Sequence, residues 1–153
     1  MKLAIGCDKN AVDLKEKIIN FLQEEKNITV EDVGVSDSED DTYYPEVAKR
    51  VVDKIRNNDD IEQGILICGT GIGMALTANK FAGIYAAKCH DIYSAERAKK
   101  SNDTNVLTMG AQVINYKLAI KLVDIWVESE FSGGRSAPKV ELIREYEAAE
   151  QAG

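Results

Sequence analysis

A thiol directly ahead of three alternating glycines, Cys68-Gly69-Thr70-Gly71-Ile72-Gly73, is the part of this chain best equipped for chemistry. It follows an apolar run at 64–67 and precedes a helix-like segment, so the sulfur arrives at the carboxyl end of a strand. Open parallel sheets bind their ligands at that edge. A strand-to-helix turn stripped of side chains lets backbone N–H groups converge on an anion or a developing oxyanion, and a cysteine beside them serves as base or nucleophile. Glycines at such a junction equally mark a tight structural turn, and spacing alone leaves both readings open. Of two known phosphate motifs, one fails and the other fits poorly. No Gly-Lys-Ser/Thr follows, as a P-loop requires, and the glycines lie after the third strand without the dinucleotide-binding spacing.

For other polar groups to meet that sulfur, several strand ends must share one rim, and the hydrophobic pattern provides this. Residues 3–7 read as a first strand, followed by a helix with Ala11, Leu14, Ile18, Phe21 and Leu22 on one face. Residues 28–33 form a more polar second strand, residues 36–41 an acidic loop, and Pro45 opens a helix whose inner face carries Ala48, Val51, Val52 and Ile55. The third strand ends at Cys68, the fourth is expected at 83–87 and the fifth at 105–109, with a helix at 93–100 between them. A long helix lined by Leu118, Leu122, Ile125 and Trp126 comes next, then a break at Gly133-Gly134 and a charged helix over about 139–149. This alternation predicts βα units around a parallel sheet in one domain spanning residues 1–153. Cys7, Cys68 and Cys89 then end three strands, and Asp8, Gly69 and His90 follow them along one rim if the first and third strands are neighbours.

Bulk properties bound the partners. The chain has 153 residues, 44% of them hydrophobic, enough for one domain with a core, and a net charge of −7 disfavours non-specific binding to nucleic acid or anionic membranes. No apolar stretch approaches the roughly 18 residues of a membrane span. Together with an N-terminus that begins a strand, this makes a cytoplasmic protein with a small-molecule partner the expectation. Three cysteines without C-x-x-C spacing fit reduced thiols, and neither a metal nor a cofactor is expected.

The segments Ile5-Gly-Cys-Asp8, Tyr44-Pro45, Ile67-Cys-Gly-Thr-Gly-Ile-Gly73, Ala78-Asn-Lys80, Asn102-Asp-Thr-Asn-Val106 and Gly133-Gly-Arg135 resemble, in order and spacing, the type B ribose-5-phosphate isomerases, a family that includes the galactose-6-phosphate isomerase subunits. The resemblance runs almost the whole length. It implies a three-layer α/β/α sandwich on a five-stranded parallel, Rossmann-like sheet, working as a homodimer or dimer of dimers with shared active sites. It also implies aldose–ketose isomerisation of a sugar phosphate through an enediolate, most simply ribose 5-phosphate to ribulose 5-phosphate, without metal or cofactor. Cys68 is then the base, a role that requires donors able to stabilise a thiolate. Thr70 bonds substrate or water, and the N–H groups of Gly69, Gly71, Ile72 and Gly73 hold the enediolate oxygen. Asp8 and Tyr44 position sugar hydroxyls, and Asn102 reaches the open chain from the partner subunit.

Departures from the family pattern fall on the ring-opening and phosphate-binding positions. Lys9 stands where the family has histidine after Asp8, Ser101 replaces the histidine before Asn102-Asp103, Gln112 replaces an arginine, Ser136 replaces the histidine after Arg135, and Lys139 replaces a second arginine. A cationic clamp of Lys9, Arg135 and Lys139 remains, but lysine and glutamine cannot copy the bidentate grip of arginine on phosphate. An isomerase for another or a non-phosphorylated sugar, and a non-catalytic subunit or binding paralogue, are therefore the alternatives. His90, the only histidine, is a candidate for proton transfer in ring opening, with a structural role as the other reading; Ser101 is a second candidate through water. Plainer readings accompany the rest: Asp8 as a helix N-cap, Tyr44-Pro45 as a loop anchor, Cys7, Cys89 and Trp126 as packing, Lys139 and Arg144 on an exposed helix face, and Lys99-Lys100 as a solvated helix end.

Overall fold

A computed structural model describes residues 1–153. Five parallel strands run β1 (Lys2–Cys7), β2 (Thr29–Asp32), β3 (Ile61–Cys68), β4 (Ala86–Lys88) and β5 (Val106–Gly110) in the spatial order β2-β1-β3-β5-β4. Helices α2 (Tyr44–Asn57) and α3 (Ile72–Ala78) pack together on one side, and α1 (Val12–Glu25), α4 (Ile92–Lys100) and α5 (Tyr116–Glu128) on the other, with α6 (Ala137–Ala152) closing the chain. This is the expected α/β/α sandwich. Its core is apolar on both faces of β1, β3 and β5, as a sheet covered twice demands.

Local signals fix the element ends. Helix α1 stops because Asn27 adopts a left-handed φ of 53°, letting Ile28 N–H reach back to the Leu22 carbonyl at 2.9 Å. Helix α2 starts with Pro45 in its first turn. The fourth strand departs from expectation, beginning at Ala86 instead of residue 83. Two asparagine side chains account for this. Asn105 accepts the Tyr85 N–H and donates to the Gly83 carbonyl, both at 2.8 Å, so these groups find partners outside a ladder. Asn79 does the same for Ala86 N–H and C=O at 2.7 and 2.9 Å.

Two lysines are buried. Lys15 Nζ pairs with Asp32 at 2.9 Å and donates to the Val35 carbonyl, tying the segment after β2 to α1. Lys99, expected in solvent, is 9% exposed instead. Its Nζ lies 4.1 Å from the Trp126 ring centroid and donates to Gln63 Oε1 at 2.6 Å, because the last turn of α4 packs on α5 and faces inward. Burial pushes its pKa down from 10.5 to about 8.

The folded protein therefore releases the Lys99 proton near pH 8, whereas the unfolded chain keeps it to about 10.5. Between those values the unfolded state binds more protons, so this group makes stability rise with pH across that window and holds it at its lowest below pH 8. Lys99→Met is expected to flatten the rise. Urea denaturation of both proteins at pH 7 and 9.5 measures the difference, and identical pH dependence would contradict the burial argument.

Candidate active site

The β1–β3 pairing sets Cys7 beside Ile67, and the β3–β5 pairing sets Cys68 beside Gly110. Asp8, the 69–73 turn and the segment after Gly110 therefore emerge side by side at the carboxyl rim, with His90 following β4 at the same edge. The neighbouring strands required by the sequence argument are present.

Within that rim the turn wraps around the sulfur. Gly71 N–H donates to Cys68 Sγ at 3.1 Å, which needs the left-handed φ of 80° at Gly71. Thr108 Oγ1 fixes the other face of the same residue by donating to the Gly71 carbonyl at 2.8 Å. Thr70 Oγ1 accepts from Ile72 N–H at 3.3 Å. Two of the amides expected to face an oxyanion, those of Gly71 and Ile72, are thus directed to Cys68 and Thr70. The Tyr44 ring lies against Gly73, in the space a Cβ there would take, which brings the start of α2 over the turn. Behind it, Ala111 N–H donates to the Cys68 carbonyl at 2.8 Å and Gln112 N–H to the Gly69 carbonyl at 3.0 Å.

Asp8 sits at the mouth and accepts from Asn10 N–H at 3.0 Å and from Asn10 Nδ2 at 3.2 Å, capping the 3₁₀ turn Lys9–Ala11. Lys9 pairs with Asp41 at 2.6 Å, both exposed, closing one side of a cavity of about 500 Å³ lined by Asp8, Asn10, Thr42, Tyr43 and Tyr44. The Asp41 carboxylate holds the Lys9 amine above its ordinary range. His90 accepts Gly110 N–H on Nε2 at 2.9 Å, and burial followed by Lys88 pushes its pKa below the ordinary imidazole value. Nowhere do three His, Cys, Asp or Glu side chains converge as a metal site would need.

Ser101, Asn102, Arg135 and Lys139 lie elsewhere. Ser101 and Asn102 precede β5, so they sit at the opposite end of the sheet from Cys68, roughly 13 Å along a five-residue strand. Asn102 shares a small cavity with Asn79, Tyr85 and Arg144. Arg135 and Lys139 project into solvent around the start of α6, which is anchored by Arg144 to Asp103 at 2.6 Å and by Tyr85 to Glu147 at 2.6 Å. One chain therefore assembles Asp8, Lys9, Tyr44, Cys68, Thr70 and the glycine turn, but not the Lys9–Arg135–Lys139 clamp. Sequence reasoning missed Thr108, which reads only as a strand residue, and gave no role to Gln112, whose carboxamide lies over Gly69.

A doubly covered parallel sheet with a thiol cradled at its carboxyl rim defines an α/β protein built to act on a small ligand. The family model described as Ribose/Galactose Isomerase matches residues 3–143, and the chain belongs to that family. It is 54% identical over 145 residues to a protein of Listeria innocua named ribose-5-P isomerase B, covering 95% of this chain and 96% of that one. It is 46% identical over 151 residues to a D-erythrulose-4-phosphate isomerase of Pectobacterium atrosepticum, covering 99% and 98%. Among solved structures, the ribose-5-phosphate isomerase B of Clostridium thermocellum superposes with a TM-score of 0.92 at 38% identity, covering 97% of this chain and 99% of that one.

Burial raises the thiol pKa of Cys7 to about 12 and of Cys89 to about 11. Cys7 and Cys89, 0% and 3% exposed, are accordingly expected to resist iodoacetamide at pH 8 in the folded protein, leaving Cys68, 6% exposed at the rim, as the site of any alkylation. Peptide mass spectrometry checks this, and comparable labelling of Cys7 or Cys89 would contradict their placement in the core.

Proposed function

We propose that the protein is an aldose–ketose isomerase of phosphorylated sugars, with Cys68 as the base. The observation that carries this reading is the Gly71 N–H aimed at Cys68 Sγ on a turn beside Asp8. Isomerisation requires a base to take the proton from the carbon next to the carbonyl, a donor set to hold the enediolate oxygen, return of that proton to the former carbonyl carbon, and passage of the neighbouring hydroxyl proton to the former carbonyl oxygen. The Cys68 sulfur takes and returns that proton. The amides of Gly69 and Gly73 and the Thr70 hydroxyl hold the oxygen as it gains charge, those of Gly71 and Ile72 being turned to Cys68 and Thr70, and Asp8 and Tyr44 align the hydroxyls. The relatives' names span four- and five-carbon sugar phosphates, which makes ribose 5-phosphate and erythrulose 4-phosphate the first substrates to test.

The site is shared between two copies of the chain. Ser101, Asn102, Arg135 and Lys139 can reach a Cys68 rim only in another copy, where the two cations meet the phosphate that Lys9 faces from its own chain. Apolar side chains support assembly: Ile72 is 52% exposed, Leu76 62% and Tyr93 72%.

Purified protein is expected to turn over one of these sugar phosphates, and Cys68→Ala to lower kcat by about 10²- to 10⁴-fold. Absence of turnover on the whole panel by folded, assembled protein overturns the reading and favours a partner-dependent subunit. Sharing has its own test. Cys68→Ala and Asn102→Ala are each expected to be impaired alone, and refolding them together to restore about a quarter of wild-type activity through mixed dimers with one intact site. No recovery would place both residues in one chain's site.

A further inference from the structure

The strand β4 ends at Lys88, two residues short of the level at which β5 reaches Gly110. Cys89 N–H still bonds the Thr108 carbonyl at 3.1 Å, but beyond it the main chain leaves the sheet. At that level a side chain takes over: His90 Nε2 accepts the Gly110 N–H at 2.9 Å. Gly110 is the residue on which the turn around Cys68 rests. It pairs with Cys68 in register, and a Cβ on it would fall 2.5 Å from Thr70 Cα and 2.6 Å from the Gly69 oxygen. Nothing but backbone fills that contact, so a displacement of Gly110 passes directly to Gly69 and Thr70.

We propose that His90 is a positioning residue of the active site: its neutral imidazole holds Gly110, and through Gly110 it holds the turn that aims Gly71 N–H at the Cys68 sulfur. The bond requires an Nε2 lone pair, which exists only when the proton sits on Nδ1 and the ring is uncharged. Protonation puts an N–H against the Gly110 N–H and breaks the support. The charged groups acting on the ring are Lys88, which disfavours protonation, and Asp91, which favours it but is engaged in capping α4 through Ser94 N–H at 2.7 Å. From β5 the ring meets the uncharged Gly110 amide. With Nε2 committed to the main chain, His90 acts by geometry, and the proton relay suggested for it from sequence has only Nδ1 left to use.

The turnover readout rests on the isomerase reading above, and the spectroscopic readout does not. Because the chain has one histidine, imidazole ¹⁵N resonances of uniformly labelled protein at pH 7.5 belong to His90 alone. They are expected to show a protonated Nδ1 and a bare Nε2, and the Gly110 amide is expected to exchange more slowly than in His90→Ala. A bare Nδ1, or equal exchange in the two proteins, overturns the proposal whatever the substrate. In turnover, His90→Ala is expected to lower kcat about tenfold with KM little changed, as the loss of one supporting hydrogen bond implies. His90→Gln, which restores an acceptor at similar reach but cannot carry a proton at neutral pH, is expected to recover most of that loss and to lack the acid-side fall in kcat due to this group. A glutamine variant as slow as alanine overturns positioning in favour of proton transfer, and wild-type kcat in the alanine variant overturns both.

Discussion

The close approach of the turn after β3 to the end of β5 is the constraint on which the rim depends. Parallel pairing brings Cys68 level with Gly110, and the chain beyond each strand then exchanges bonds with the other: Ala111 and Gln112 amides to the Cys68 and Gly69 carbonyls, Thr108 hydroxyl to the Gly71 carbonyl. The sulfur is thus surrounded by main chain whose position is set by the sheet. A side chain on Gly110 would separate the two strand ends. The site is stiff because it is made from the edge of the fold, and a loop standing away from the sheet would have no such support.

That edge also divides the polar residues into two sets. Residues that follow strands converge with Cys68, and residues that precede β5 or begin α6 are carried to the far end. No rearrangement short of unfolding β5 brings Asn102 to Cys68 within one chain. The left-handed backbone at Asp103, with its carboxylate held by Arg144, presents Asn102 outward from that far end. In a closed symmetric pair, each copy's far end can serve the other's rim without either fold changing.

How much of this could be read from residues follows from what each feature depends on. The succession of strands and helices along the chain, the placing of Asp8, Cys68 and His90 at strand ends, and the helix opened by Pro45 follow from hydrophobic period and turn chemistry, which are local; that the first and third strands are neighbours comes from the sheet itself. The start of β4 did not, because it is decided by Asn79 and Asn105, whose amides satisfy backbone groups from outside the ladder. Lys99 was misread because charge at a helix C-terminus normally faces water, and only the packing of α4 on α5 shows that the Trp126 face and Gln63 receive it. The commitment of His90 to Gly110 depends on where β4 leaves the sheet, a long-range fact that no spacing within the chain reveals.

The Trp126 indole is the chain's only one, fully buried, with its Nε1–H bonded to Thr104 Oγ1 at 3.1 Å and the Lys99 ammonium over its face. It belongs to the helical layer behind the sheet, and Thr104 and Gln63, its polar surroundings, lie at the end remote from Cys68. The tryptophan emission of the protein is therefore a gauge of that layer's integrity and of the charge on one amine. Within one chain, the rim that carries Cys68 and this indole lie at opposite ends of the sheet.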